Sequence, residues 1–219
     1  NPKHSVAFKA NSFGKVTKIV DIKWNISKHG KLVPCIEFEP LELGGSNVKH
    51  CSGFNAKNIE EKKLGVGSII RVVLSGEIIP YITEIIETTD PKMPNIEYKY
   101  INDFDIVPVN DSENIVLKVK RIVHFFKTLK IDNISEGIVT KLIEKGYDSL
   151  FKILTISKDN LLKLDGFKDT LSTKIYNNIH TVIDESIKIE LIMTASLCFG
   201  YGFGIKRLKM ISDRYPNVL

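Results

Sequence analysis

Residues 164–179 read Leu-Asp-Gly-Phe-Lys-Asp-Thr-Leu-Ser-Thr-Lys-Ile-Tyr-Asn-Asn-Ile, a glycine turn that leads straight into an amphipathic helix. The same plan occurs twice more. Ile131-Asp132-Asn133-Ile134-Ser135-Glu136-Gly137 leads into IVTKLIEKG, and Cys198-Phe199-Gly200-Tyr201-Gly202-Phe203-Gly204 leads into IKRLKMISDRYP. Each turn holds an apolar residue (Ile134 in the first, Phe167 in the opening one) with small residues or glycine beside it. Glycine lets a backbone take unusual dihedrals and approach a partner closely. The N–H groups at a helix start then point outward, and with the helix dipole they favour a phosphate oxygen.

One glycine ahead of a helix would be only a cap. Three such turns within residues 131–204 point to tandem helix-hairpin-helix repeats, with Gly137, Gly166, Lys168, Gly200, Gly202 and Gly204 as candidate phosphate contacts. Such contacts position a nucleic-acid backbone without reading bases.

Working outward, the helical period begins near Val116. Val116, Val119, Ile122, Val123, Phe126 and Leu129 share one face, and Lys118, Lys120, Arg121 and Lys127 lie largely elsewhere. Upstream the pattern changes. VTKIVDIKW, LVPCIEFEPLEL, SIIRVVLSG and IIPYITEII are β-branched runs separated by Gly- and Asn-containing turns, with a short charged helix expected over residues 56–63. The expected fold class is therefore multi-domain, β then all-α: a small five-stranded barrel followed by helical hairpins. Between them, residues 89–115 lose periodicity, and a short hairpin pairing residues 96–100 with 105–109 is the expected connection.

Composition narrows the function. Residues 1–115 carry 14 Lys and Arg against 15 Asp and Glu, whereas residues 116–219 carry 17 against 11. A basic half beside a neutral half favours a polyanionic partner for the second half. No apolar run reaches the roughly 18 residues of a membrane span, and the N-terminus has no signal-peptide pattern. Cys35, Cys51 and Cys198 are too scattered for a metal clip and read as reduced thiols, which agrees with an intracellular, cytoplasmic protein.

Several motifs together resemble the NAD-dependent DNA ligases, along essentially the whole chain. His4-Ser5-Val6-Ala7-Phe8-Lys9 resembles the last motif of their nucleotidyltransferase domain. Val16-Thr17-Lys18-Ile19-Val20-Asp21-Ile22, Leu32-Val33-Pro34, Glu39-Pro40-Leu41-Glu42-Leu43-Gly44-Gly45, Asn55-Ala56, Val66-Gly67-Ser68 and Ser75-Gly76-Glu77-Ile78-Ile79-Pro80 are similar to their oligonucleotide-binding (OB) barrel. Arg121-Ile122-Val123-His124-Phe125, Leu142-Ile143-Glu144-Lys145-Gly146 and Leu164-Asp165-Gly166-Phe167 resemble their hairpin domain.

The resemblance implies four segments: the end of an adenylation domain (1–13), an OB-fold domain (14–88), a linker in place of a zinc module (89–115) and a helix-hairpin-helix domain (116–219). It implies that Lys9 contacts the nucleotide phosphate, and that Lys28, Lys31 and Asn55 contact DNA. In Lys28-His29-Gly30-Lys31, lysine stands where the family usually carries arginine, so a bidentate grip becomes a point charge. Leu74 stands where the family commonly has arginine, with Arg71 and Lys49 as candidates to compensate.

For the intact enzyme the resemblance implies NAD and Mg2+ as cofactors and nicked double-stranded DNA as partner, acting as a monomer without a membrane. No zinc is expected, since residues 89–115 hold no cysteine and tetrahedral zinc needs four such ligands. The single Lys-x-Asp-Gly string, Lys163-Leu164-Asp165-Gly166, belongs to the second hairpin and not to an adenylation domain, so the chain on its own is expected to be inactive, as a piece beginning inside a catalytic domain. The alternative is a non-catalytic OB and hairpin scaffold, or an inactive ligase homologue.

Overall fold

The computed structural model describes residues 14–76, 78–110, 114–184 and 186–215, without the side chains of residues 182–184. It divides into two compact units. The first takes in the chain up to Asn25 together with Lys31–Val109, and the second joins Ile26–Gly30 to Asn110–Leu219.

In the first unit the four β-branched runs become strands β1 (Lys15–Ile26), β2 (Leu32–Leu43), β4 (Ile69–Ser75) and β5 (Ile79–Glu87), and β3 (Ser46–Ser52) forms where no such run stands. The order across the sheet is β5-β4-β1-β2, and β3 pairs with β2. Alternation along the strands turns Ile19, Ile22, Ile36, Phe38, Ile70 and Val72 into one buried cluster. Helix α1 (Ala56–Glu61) sits between β3 and β4 and adds Ile59 to that cluster. Asn55 is its N-cap, the Oδ1 accepting from the Asn58 amide at 2.9 Å.

A five-stranded barrel was expected, with a separate hairpin as the connection; among the described residues the strands form one open antiparallel sheet of seven. The hairpin expected in the aperiodic segment is present as β6 (Tyr98–Tyr100) and β7 (Ile106–Pro108). It joins the sheet, with Ile106 opposite Leu32 on β2. Ile106 is fully buried and so contributes core that a plain linker would not. The Tyr100 hydroxyl donates to Glu60 Oε2 of α1 at 2.7 Å; burial and this carboxylate push that hydroxyl up to about 12.

The second unit is helical: α2 (Ile115–Thr128), α3 (Glu136–Glu144), α4 (Leu150–Leu154), α5 (Lys158–Leu162), α6 (Asp169–Asp184), α7 (Ile189–Ser196) and α8 (Ile205–Arg214). Asn114 caps α2, its Oδ1 accepting from the Leu117 amide at 3.0 Å. Val119, Ile122, Val123, Phe126 and Leu129 enter the helical core as the period requires. Val116 does not; it is exposed, and Leu117 is buried instead. The helical core begins one turn later than the pattern indicated.

Phe126 is fully buried at the centre of that cluster. Phe126→Ala should cost about 3–5 kcal/mol, the usual penalty for emptying a buried aromatic site. Urea unfolding followed by the far-ultraviolet helical signal checks this, and a loss under about 1 kcal/mol would contradict the packing.

Candidate nucleic-acid interface

The second hairpin is the best formed. Leu164 and Phe167 are buried, the Phe167 amide donates to the Leu164 carbonyl at 3.0 Å, and Gly166 sits between them at φ 81°. Lys168 and Asp169 then stand exposed at the start of α6. The first turn of any helix leaves its amides without intrahelical partners, so this is where an anion is favoured.

The first hairpin uses different residues for the same geometry. Aligned on Asp132 and Asp165, Asn133 takes the place of Gly166 and has φ 64°. Ile134 takes the place of Phe167 and is likewise buried, and Ser135 caps α3. Gly137 is therefore not the turn residue; it lies in the first turn of α3 without a positive φ. Asparagine is one of the few side chains that tolerate the left-handed region, and that preference was the signal available in the sequence.

The two hairpins are cross-tied. Lys141, on the helix leaving the first, donates from Nζ to the Asp165 carbonyl of the second at 3.3 Å. Asn178, on the helix leaving the second, donates from Nδ2 to the Asp132 carbonyl of the first at 3.1 Å. The third hairpin departs from this scheme. Gly200 and Gly202 have φ 78° and 91°, and Gly204 is the N-cap of α8 with no side-chain hydrogen bond. Its apolar residue, Phe203, stays 43% exposed, where Phe167 is 5% exposed.

The β1–β2 turn belongs to the helical unit. Lys120 Nζ donates to the Ile26 carbonyl at 2.6 Å, Arg121 Nε donates to the Lys28 carbonyl at 3.3 Å, and His29 packs edge-on against Tyr201. Lys28 Nζ donates to the His124 ring, 3.2 Å from Nδ1. The helical period places the basic residues of α2 off its core face but gives His124 no role.

In the first unit, the remaining expected contacts are differently placed. Lys31 is mostly buried and donates to Asp105 Oδ2 at 2.6 Å. Burial pushes the Asp105 carboxyl up, but the hydrogen bonds from Lys31 and Asn102 outweigh it and hold the group below its ordinary value. Asn55 is occupied in capping α1. Arg71 donates from Nε to Glu84 Oε2 at 2.7 Å, so it is no unpaired substitute for the arginine missing at Leu74; Lys49 is exposed. Lys9 lies outside the described residues.

The first unit is an antiparallel sheet and the second a helical unit with two cross-tied hairpins, and comparison with known proteins gives their relatives. Residues 16–94 match the model of the NAD-dependent DNA ligase OB-fold domain. The whole chain is 41% identical to a DNA ligase of Acanthamoeba polyphaga mimivirus and 33% identical to a putative DNA ligase of Invertebrate iridescent virus 6, covering 35% and 34% of those proteins. Over 81% of its length it is 31% identical to DNA ligase 1 of Clostridium acetobutylicum, covering 29% of it. The chain is thus similar along its length to DNA ligases, with an OB-fold domain of the NAD-dependent kind, and it spans about a third of the length of these relatives.

The two glycines give opposite expectations. A Cβ on Gly137 would meet nothing within 4 Å, in a helix where alanine is the better residue. Gly137→Ala should thus stabilise the chain by up to about 1 kcal/mol. Gly166→Ala should destabilise it by about 1–2 kcal/mol, because φ 81° strains any L side chain. Equal effects in paired urea titrations would refute the assignment of the turn residues.

Proposed function

We propose that this chain is the DNA-binding part of an NAD-dependent ligase, one that clamps duplex DNA around a nick between a 5′-phosphate and a 3′-hydroxyl. The observation that carries the reading is the pair of cross-tied hairpins, each with a left-handed residue, a buried apolar pin and a helix start beside it. The hairpins act as helix-hairpin-helix repeats and grip phosphates without sequence preference. Fixed amides and helix dipoles suffice for that grip. The barrel lies across the backbone and contributes its exposed cations.

In the intact enzyme NAD would adenylate a lysine, AMP would pass to the 5′-phosphate, and the 3′-hydroxyl would displace it. Within this chain only Lys9 is a candidate for that chemistry, as a cation beside the nucleotide phosphate. The one Lys-x-Asp-Gly string, Lys163–Gly166, is spent on the second hairpin turn, where Leu164 is buried and Gly166 has φ 81°, so we expect the chain to bind nicked DNA without sealing it. Among the described residues no group of three His, Cys, Asp or Glu could hold a metal ion, and no step is assigned to Mg2+ within them. No helix of the described residues is long and apolar enough to cross a membrane.

Fluorescence anisotropy with a labelled nicked duplex tests the clamp. Each neutralised phosphate releases counterions, so with six contacts affinity should fall about 10³-fold between about 50 and 200 mM salt. It should be the same for unrelated duplex sequences. Affinity that ignores salt, or that follows base sequence, would remove the clamp reading.

A further inference from the structure

Two lysines of the same short stretch have opposite electrostatic standing. Lys31 is paired with the Asp105 carboxylate, so its charge is compensated. Lys28 is half-buried, and among the described residues no carboxylate forms an ion pair with it. Its partner is an imidazole, His124 on α2, with Nδ1 at 3.2 Å.

The protonation state of that ring follows from its neighbours. An ammonium can only donate, and a carbonyl oxygen can only accept. His124 Nε2 lies 3.3 Å from the Thr194 carbonyl of α7, and the Lys28 ammonium lies 3.2 Å from Nδ1 and 3.5 Å from Nε2. With the Nε2 hydrogen given to Thr194, Nδ1 is the nitrogen left to accept from Lys28, which is the neutral Nε2–H tautomer. Thr128, one turn along α2, spends its hydroxyl hydrogen on the His124 carbonyl at 2.8 Å. Burial lowers the pKa of the ring, the charges of Lys28 and His29 lower it further, and the Thr194 hydrogen bond opposes them without reversing the result.

A carboxylate in place of His124 would hold Lys28 equally well but cancel its field, as Asp105 does for Lys31. With no partner the lysine would keep its field but would have to be ordered when DNA binds. A neutral acceptor fixes the side chain and leaves the charge whole. We propose that His124 is a positioning residue, a neutral acceptor that presents the uncompensated Lys28 ammonium to a DNA phosphate. An ammonium has three donors and the ring engages one, so two remain for phosphate oxygens. This inference rests on the reading of the chain as a DNA clamp.

The test uses the whole 219-residue chain and the labelled nicked duplex at neutral pH. Lys28→Met should weaken binding several-fold and lower the salt slope by about 1, as the loss of one phosphate contact does. His124→Leu should reproduce most of that loss, and the double variant should bind no worse than Lys28→Met alone. His124→Gln should retain near-native affinity, because its amide can accept from Lys28 and donate to the Thr194 carbonyl. Imidazole nitrogen NMR should find Nδ1 bare and Nε2 protonated, a readout that survives even if His124→Leu fails to fold.

An imidazolium or an Nδ1–H tautomer at neutral pH would overturn the proposal. So would a His124→Leu penalty that persists undiminished in the Lys28→Met background, or a His124→Gln variant as weak as His124→Leu. If Lys28→Met leaves a salt-dependent affinity unchanged, the positioning role falls while the clamp stands. If the unaltered chain binds without salt dependence, the clamp itself falls.

Discussion

A chain that must end one helix and begin another within six to eight residues needs a residue of positive φ, and the helical unit depends on this constraint. Asn133, Gly166 and Gly202 supply it at φ 64°, 81° and 91°. The residue that follows is thrown inward or outward by that reversal. Where it turns inward, as at Ile134 and Phe167, the hairpin is pinned to the core and the next helix start is fixed in space. Where it stays exposed, as at Phe203, the turn has its dihedrals without its anchor. The first two hairpins are further fixed to each other by Lys141 and Asn178, so their helix starts form one preorganised arrangement instead of two independent ones.

Preorganisation of backbone amides supplies position, and the side-chain cations supply field, but only where neighbours leave their charge intact. Arg71 beside Glu84 and Lys31 beside Asp105 are cations by composition and nearly neutral pairs by surroundings. The pair at Arg71 is exposed and adds little stability. The one at Lys31 is more enclosed, and it secures the β6–β7 tip, where Asn102 also donates to Asp105. A census of lysines and arginines therefore overstates what an interface can offer. The net charge of residues 116–219 points to the half of the chain that carries the hairpins, but individual contacts depend on pairing that no composition reveals.

Periodicity and turn chemistry are local properties, which is why they are legible in the sequence. The four β-branched runs mark β1, β2, β4 and β5 but not β3, the helical face of α2 is correct from Val119 onward, and Gly166 with Phe167 already implies a reversal and its pin. What the sequence does not disclose requires partners distant along the chain. The Lys31–Asp105 pair spans 74 positions, the Lys28–His124 contact spans 96, and Ile106 joins the sheet through Leu32. Gly137 misleads for a different reason. Glycine attracts attention as the residue of unusual backbone, whereas asparagine takes the same conformation less conspicuously, as Asn133 does here.

The segment between barrel and helices shows how one architectural need can be met by different physics. The resemblance to NAD-dependent ligases leads one to expect a four-cysteine zinc module here, and such a module draws its folding free energy largely from metal coordination. This chain has three cysteines in all, none of them in residues 89–115, so coordination of that kind is not available. A short two-stranded hairpin is marginal in isolation. Here it is supported by burial of Ile106, by pairing to β2, by the Tyr100 hydroxyl on Glu60 and by Lys57 over the Phe104 ring. Burial of Ile106 contributes most, since apolar burial outweighs exposed polar contacts that exchange with water. The hairpin is therefore an extension of the sheet, and its stability is tied to its pairing with β2 and to the burial of Ile106.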